Sequence, residues 1–462
     1  MSNWGIGNQY FVMESIKSLH RTHHSISHLG LKKVSMFLLA LLPLLSWYKI
    51  PFPVGLGYAL LLPLSVYAIF INKFNINVIP ASFWIIFIYV SSIWIYNHDF
   101  ELWTLFPPGG WVFFIFTLAL IWGVITFDLR LLKKCMRWTV IISGILFWIQ
   151  FLLFITTGSQ QFCFVPNLTG EFTYEDLTYS EVVSRHLNSE FPCSIFLEKS
   201  YLAYYFLTYL TVIWFDKKNG YKLWNKEIIF VIATLIASRS GTALVGLSVL
   251  IIVRLFIAYR KGSSHQRMII IALMVPLVVG AGYVYVSSEM GGEMLERSDE
   301  LSTEGTSGFE RVVSGYLMFD TLSLEEQMIG IPDVRYRFSY ETFSGKAIFY
   351  VNGVQSILLN LGYVGLFLYL IFYINVYLKS DLTSRMCIII LLLMGLSEAN
   401  YLNPYMMLLT IIPCANIYNN KRKDTIIQNY TNPYEKNTAC FRDSAGSHQD
   451  GATCKRVSET YR

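Results

Sequence analysis

Residues 354–378 read VQSILLNLGYVGLFLYLIFYINVYL, and residues 138–156 read WTVIISGILFWIQFLLFIT. Neither stretch holds a charged side chain. A helix needs about twenty largely apolar residues to cross the hydrocarbon core of a bilayer. Both stretches meet that length, and their reading as membrane helices decides the fold. Working outward, further apolar runs fall at 34–48, 54–71, 79–96, 110–127, 194–215, 228–237, 242–258, 268–287, 386–396 and 403–418. The runs at 228–237 and 386–396 are too short to cross alone. Each precedes a polar break and another apolar run, as in a tight hairpin or a broken helix lining a cavity. The strict alternation of transmembrane β-strands is missing.

The composition agrees. The chain has 462 residues, 54% hydrophobic and only 15% charged. Soluble domains carry about 25% charged residues, so this chain cannot cover a water-facing surface. The expected fold is all-α: a polytopic transmembrane helical bundle with about twelve spans. It divides into an N-terminal segment (1–33), a membrane domain (34–418) and a polar tail (419–462) that reads as disordered. About thirty largely polar residues precede the first apolar run, which excludes a cleavable signal peptide. The net charge of +5 is the ordinary excess of basic residues on cytoplasmic loops, and nucleic-acid binding is not needed to explain it.

Basic residues also set the orientation. Lys73, the group Arg130, Lys133, Lys134 and Arg137, then Lys217, Lys218, Lys222 and Lys226 fall on alternate connections. Arg260, Lys261, Arg267, Lys379, Arg385 and Lys421–Lys423 continue the pattern. This places both termini in the cytoplasm. Lys49 and Arg239 are the exceptions on the outer side. Two outer connections are long, about 157–193 and 288–347, and both are acidic. Among the seven cysteines, only Cys163 and Cys193 share an outer loop. They form either a disulfide or two free thiols.

Six constellations offer chemistry. In Ser238-Arg239-Ser240-Gly241-Thr242 an arginine sits between two apolar runs, where it either grips a phosphate or merely marks a hairpin turn. In Phe196-Leu197-Glu198-Lys199-Ser200-Tyr201 a carboxylate enters a helix at its start, answering the dipole or facing a polar cavity. Arg311 precedes Val312, Tyr316 and Phe319 at helical spacing, which predicts a helix on the membrane surface; Gly330-Ile331-Pro332, Arg335 and Arg337 follow. Asn352 to Gly365 is rich in small residues that permit close helix packing. Glu398 sits in a short outer turn, either as an exposed loop acid or facing the cavity. Arg185 and His186 lie together in the first long loop, where the histidine either takes a proton near neutral pH or is a surface histidine with no role.

Taken in order, these segments resemble the O-antigen polymerases and, more distantly, the O-antigen ligases. Phe196–Tyr201 resembles the family's apolar-apolar-Glu-Pro-Ser-Tyr stretch, with Lys199 in place of Pro. Ser238–Gly241 resembles its Ser-Arg-Ser/Gly element, Arg311 with Gly330–Pro332 its second large loop, and Asn352–Gly365 its Asn…Leu…Gly-x-x-Gly run. Neither Arg185 nor Arg311 keeps the family's Arg-to-Gly spacing cleanly. Tyr350 and Val351 stand where the ligases place a histidine.

The resemblance implies glycosyl transfer at the periplasmic face of the bacterial inner membrane. The substrate is an oligosaccharide linked to undecaprenyl pyrophosphate, and no cofactor or metal is expected. Arg239 and Arg311 would stabilise the leaving pyrophosphate, and Glu198 would take or orient the acceptor proton. Arg185, His186, Glu398, Arg335 and Arg337 would bind substrate. Expected partners are the bilayer, a chain-length regulator and a flippase. The rival readings are a ligase, a capsule or other envelope polymerase, and a transporter of lipid-linked sugars, whose charges would lie nearer the bilayer midplane.

Overall fold

The structure is a computed structural model. It describes residues 30–50, 55–71, 76–96, 108–173, 177–189, 191–216, 225–261, 267–268, 309, 313–331, 351–396 and 403–422. Residues up to Asn416 form one compact unit. A second unit begins at Ile417, and of it only the helical residues 417–422 are described.

The regular structure of the described chain is all helix, joined by irregular segments, with isolated bridges at Tyr48–Phe172 and Glu171–Thr178. The helices are α1 (30–45), α2 (Leu56–Ile71), α3 (Ala81–Tyr96), α4 (Pro108–Thr126) and α5 (Leu129–Thr157). They continue with α6 (Tyr179–Leu187), α7 (Lys199–Trp214), α8 (Lys226–Ala237) and α9 (Gly241–Lys261). Two short helices follow, α10 (Gly315–Asp320) and α11 (Leu324–Ile329), and then α12 (Gly353–Lys379), α13 (Leu382–Gly395) and α14, which starts at 404. Every predicted apolar run contains a helix except 268–287, which lies outside the described residues beyond Met268. Among the described residues, three helices are long and apolar enough to cross a membrane: Leu129–Thr157, Gly241–Arg260 and Gly353–Lys379. Shorter apolar stretches lie within α2, α3, α4 and α13.

Helix α5 shows why these segments need lipid. Its 29 residues reach about 44 Å. Asp128 caps its start by accepting the Arg130 and Leu131 N–H groups at 2.9 and 3.2 Å, and left-handed Gly158 ends it. Trp138, Ile142, Ile145, Ile149, Leu152 and Ile155 recur at helical spacing, and all are exposed. Thr139, Ser143 and Gln150 lie on the buried side. An apolar stripe facing out with hydroxyls and an amide facing in is the reverse of a soluble helix. It fits a solvent of acyl chains.

Helix α7 is the centre: every residue from Tyr201 to Trp214 is buried. It packs against α5, α8, α9 and α13. Gly246 of α9 abuts Leu207 of α7, where a Cβ would come within 2.6 Å of the leucine. Both helices start at the Arg239 end and run the same way. Eight residues further on, about 12 Å, Arg254 therefore stands level with Phe215. Arg254 is only 1% exposed. Near this far end Lys133 pairs with Asp216, and Glu227 accepts from the Tyr209 hydroxyl and pairs with Arg137 at 3.2 Å. These contacts tie α5, the end of α7 and the start of α8.

The described residues of the segment 157–193 are folded onto the end of α1. Lys49 N–H donates to the Glu171 carbonyl at 2.9 Å, Thr173 N–H donates to the Trp47 carbonyl at 2.7 Å, and Tyr48 packs with Val165, Phe172, Leu177 and Val182. Lys49, one of the two basic exceptions on the predicted outer side, pairs with Glu171 at 3.3 Å. Gln150 joins the two ends of this segment to α5: its amide donates to the Phe162 carbonyl at 2.8 Å and accepts from Ser194 N–H at 2.7 Å. Cys163 and Cys193 are free thiols, so of the two readings of that pair the structure has the unpaired one.

The predicted helix after Arg311 is there, but with a different buried face. Gly315, Met318 and Phe319 are buried, whereas Tyr316 is 37% exposed. Gly315 sets this rotation, because its missing Cβ leaves room for the Gln355 side chain. Met318 and Phe319 then pack with Ile331, Val351, Leu358 and Leu359. Asn352 caps α12 by accepting the Gln355 N–H at 2.9 Å, and the Gln355 side chain answers at 3.0 Å.

The small residues of α12 do permit close packing, and of backbone on backbone. Gly362 has φ 65 and ψ −169 and breaks the helix. A Cβ there would meet the Met328 carbonyl oxygen at 2.3 Å, and one on Gly330 would meet the Asn360 carbonyl carbon at 2.4 Å. The Ile331 N–H donates to the Leu359 carbonyl at 2.7 Å, and the Tyr89 hydroxyl takes the Leu361 carbonyl at 2.8 Å.

Candidate functional site

The turn between α8 and α9 is only three residues long. Ser238 N–H donates to Thr234 O at 2.9 Å, the buried Ser238 hydroxyl donates to Leu235 O at 2.7 Å, and Arg239 N–H donates to Ile236 O at 3.2 Å. Ser240 offers its carbonyl to Leu244 N–H at 3.1 Å as α9 begins. To join two helices this tightly, Arg239 adopts φ 47. This left-handed region costs an L-residue about 1–2 kcal/mol relative to the right-handed one. Glycine follows two residues later, at 241, so the strained position itself carries a long cation. Such strain on a non-glycine gathers at functional sites.

The Arg239 side chain is exposed, and its guanidinium carbon lies 5.7 Å from the centre of the Phe191 ring. The Lys199 ammonium sits over the same ring at 3.9 Å. Phe191 therefore brings together two cations from separate segments, the α8–α9 turn and the first residue of α7. Its own segment is fixed by a second left-handed residue, Ser194 (φ 58), whose hydroxyl donates to the Ser143 carbonyl at 2.6 Å. Arg239 and Ser194 are the two non-glycines with positive φ among the described residues.

Glu198 is the N-cap residue of α7 but makes no capping bond with its side chain. Its carboxylate accepts from the Ser200 hydroxyl at 3.1 Å. It thus stands at the same helix start as Lys199, half-buried, where the helix dipole favours a negative charge.

Beyond the turn, a largely apolar cavity of about 200 Å³ begins at Gly241 and Thr242 and runs between α7, α9 and α13, past Leu207, Gly246 and Met394. It starts two residues after Arg239. A cationic turn and an apolar cavity so close together can hold a ligand with an anionic head and a hydrocarbon tail.

His186 and Arg185 part company. His186 is buried, and its Nε2 lies 3.1 Å from the Leu197 carbonyl, to which the neutral ring donates. Burial holds the imidazole below its ordinary pKa of 6.5, although the carbonyl contact pulls the other way. His186 thus pins α6 to the strand of chain that leads into Glu198. Arg185 is on the exposed face of α6, one turn from Glu181, whose carboxyl is held low chiefly by the Thr178 N–H and hydroxyl. Arg311, Arg335, Arg337 and Glu398 lie outside the described residues.

The structure adds residues that the sequence reading passed over. Phe191 carries no motif, and only its place before the α7 start marks it. Lys199 was visible only as a departure from a family pattern. Arg254 lies inside an apolar run, where a single charge at membrane depth is itself a signal. Among the described residues no three His, Cys, Asp or Glu side chains converge as a metal site needs. Compared with models of known protein families and with the sequences of characterised proteins, the chain matches none.

Proposed function

We propose that the protein is a membrane glycosyltransferase of the O-antigen polymerase type. It joins oligosaccharide repeat units carried on undecaprenyl pyrophosphate at the periplasmic face of the inner membrane. In this reading the bundle has about twelve spans, the segments 157–193 and 288–347 are outer loops, and both termini are cytoplasmic. The observation that carries the proposal is Arg239: a cation on a strained turn, at the start of an apolar cavity. A lipid pyrophosphate has that combination of charge and tail.

The chemistry follows from the leaving group. The acceptor hydroxyl oxygen attacks the anomeric carbon of the donor sugar. The bond from that carbon to the pyrophosphate oxygen breaks, and negative charge collects on the pyrophosphate. A guanidinium placed beside that oxygen stabilises the charge as it develops. Arg239 fills this role, with Arg311 as a second arginine from the other loop. The hydroxyl proton passes to a carboxylate, for which Glu198 at the α7 start is the candidate. Arg185, Arg335 and Arg337 of the two loops and Glu398 of the short outer turn are held as sugar- or phosphate-binding residues, and His186 supports the site through Leu197. A chain-length regulator and a flippase would work beside it.

The test is deletion of the gene in its own host, followed by electrophoresis of surface lipopolysaccharide, with wild type, Arg239→Ala and Arg311→Ala supplied in trans. A polymerase leaves core plus one repeat unit when it is lost. Bare core would replace this reading with the ligase or the flippase. An unchanged ladder would rule it out for O-antigen and move the search to another envelope glycan. Normal ladders from both arginine variants would remove the site assignment.

A further inference from the structure

We infer that α10 and α11 lie in the bilayer and not above it, with their exposed apolar side chains against the acyl chains of the leaflet in which α12 begins. Helix α12 is long and apolar enough to cross a membrane, but its lipid-facing stripe is too short by itself. Tyr363, Phe367, Leu370, Ile371, Ile374 and Leu378 recur at helical spacing, and all are exposed. From Tyr363 to Leu378 they rise about 22 Å, at about 1.5 Å per residue, and Lys379 ends the helix. The hydrocarbon core is about 30 Å thick, which leaves about 8 Å uncovered, and any tilt widens that gap. Between Gly353 and Gly362 no residue is exposed, so on this side another segment has to face the lipid. Helices α10 and α11 pack on that part of α12. Phe319 meets the Tyr363 ring edge-on at 5.0 Å, the Gly330 backbone lies against Asn360, and the Gly362 backbone lies against Met328. A helix lying flat is about 10–12 Å across with its side chains, which closes the gap.

The pair presents a surface suited to that depth. Leu324 is 76% exposed, and Tyr316, Leu317 and Met328 are exposed with it. Leu324 and Met328, four residues apart, share one face of α11. No Lys, Arg or His occurs from Val312 to Val334, so this surface has no cation for a phosphate headgroup and offers apolar contact instead. A segment in contact with acyl chains must also satisfy its own backbone, because they cannot. The turn between the two helices does so. The Gln327 amide donates to the carbonyls of Leu322, Phe319 and Asp320 at 3.1, 3.3 and 3.5 Å. The Thr321 hydroxyl donates to the Met318 carbonyl at 2.7 Å, and Ser323 with Glu326 closes the start of α11 as a capping box. In a loop surrounded by water, solvent would serve these carbonyls. The inference needs only that α12 spans the bilayer, so it stands apart from the polymerase reading.

The test uses the full wild-type chain in lipid nanodiscs made with phosphatidylcholine that carries an aryl diazirine, either near the ester or at the end of one acyl chain. After irradiation and trypsin digestion, the crosslinked residues are located by mass spectrometry. No Lys or Arg lies between Arg311 and Arg335, so both helices fall in the peptide 312–335, and α12 falls in the peptide 347–379. The probe near the ester should mark Leu317, Leu324 and Met328 as strongly as Tyr363, and should leave Thr321 and Ser323 unmarked. The chain-end probe should mark Phe367 and Leu370 and spare α11. If the peptide 347–379 is marked and 312–335 is not, α10 and α11 stand in water or against another protein, and the inference is wrong; two copies per disc by mass photometry would then identify the cover as a second copy of this chain. Equal marking of Thr321, Ser323 and Leu324 would also overturn it, because a turn that only brushes the headgroups has no preferred face. If neither peptide is marked, α12 itself does not face lipid, and the inference falls with that placement.

Discussion

Replacing Arg239 by glycine separates what its side chain does from what its backbone does. At φ 47 the residue bears a strain that glycine does not. The bonds that close the turn come from Ser238 N–H, the Ser238 hydroxyl and Arg239 N–H, and none needs the guanidinium. Arg239→Gly therefore relaxes the turn by about 1–2 kcal/mol, less about 0.5–1 kcal/mol for the greater freedom of glycine in the unfolded chain. The net gain is about 0.5–1 kcal/mol over Arg239→Ala, which keeps the strain. In a protein of this size that difference raises the melting temperature by about 0.5–1 °C. Activity should move the other way. Removing a group that stabilises transition-state charge costs about 10²–10³-fold in rate, so both variants should lose long polymer. The assay pairs thermal unfolding in detergent with ladder length in the host. A glycine variant that polymerises normally would show that the arginine only marks a turn. A glycine variant that melts below the alanine variant would show that the reasoning from φ is wrong.

Three further outcomes follow from the geometry. His186 is buried and neutral, with its folded pKa below 6.5; its contribution is complete above that pH and is lost as pH falls through the lowered folded value. The protein should therefore unfold more readily near pH 5 than at 7.5, and His186→Gln should remove part of that acid sensitivity; an identical pH profile in the variant would reject the anchor. Gly362→Ala places a Cβ 2.3 Å from the Met328 carbonyl oxygen at a positive φ, which should cost about 3 kcal/mol or more and empty the monodisperse peak on size exclusion, whereas Gly395→Ala, with nothing within 4 Å, should be neutral; equal yields of the two would contradict the backbone contact. Burial pushes the Cys193 thiol up to about 12, so it should resist maleimide in the native protein and label after denaturation, and rapid native labelling would argue against the packing of the 157–193 segment.

Much of the fold is legible in the sequence because acyl chains impose a simple rule: long apolar runs become helices. The stripe of Trp138, Ile142, Ile145, Ile149, Leu152 and Ile155 shows that rule at work. The turn at Arg239 is legible too, as a charge and two serines between apolar runs. What periodicity cannot supply is contact between distant segments. The face that α10 buries is set by Gly315 fitting Gln355, not by the Val312, Tyr316 and Phe319 spacing. A helix of six residues is too short for its own pattern to decide its rotation. His186 reads as a surface histidine until Leu197 is seen beside it. Lys199 gains meaning only when Phe191, eight residues earlier, and Arg239, forty residues later, are brought to one place.

Helices α8 and α9 also bear on how the chain is made. Helix α8 has twelve residues, about 18 Å, short of the roughly 30 Å hydrocarbon core. Helix α9 is long enough but carries Arg254, which costs about 2.5–3.5 kcal/mol when a helix leaves the translocon for lipid by itself. Neither is a good solitary passenger. Joined by a three-residue turn, they enter as a pair, and their landing place is already prepared by the earlier part of the chain: Arg137 waits on α5 for Glu227, and Leu207 on α7 for the flat surface of Gly246. Synthesis in chain order is thereby part of the design. Arg254 ends almost wholly buried within the protein and is spared the acyl chains.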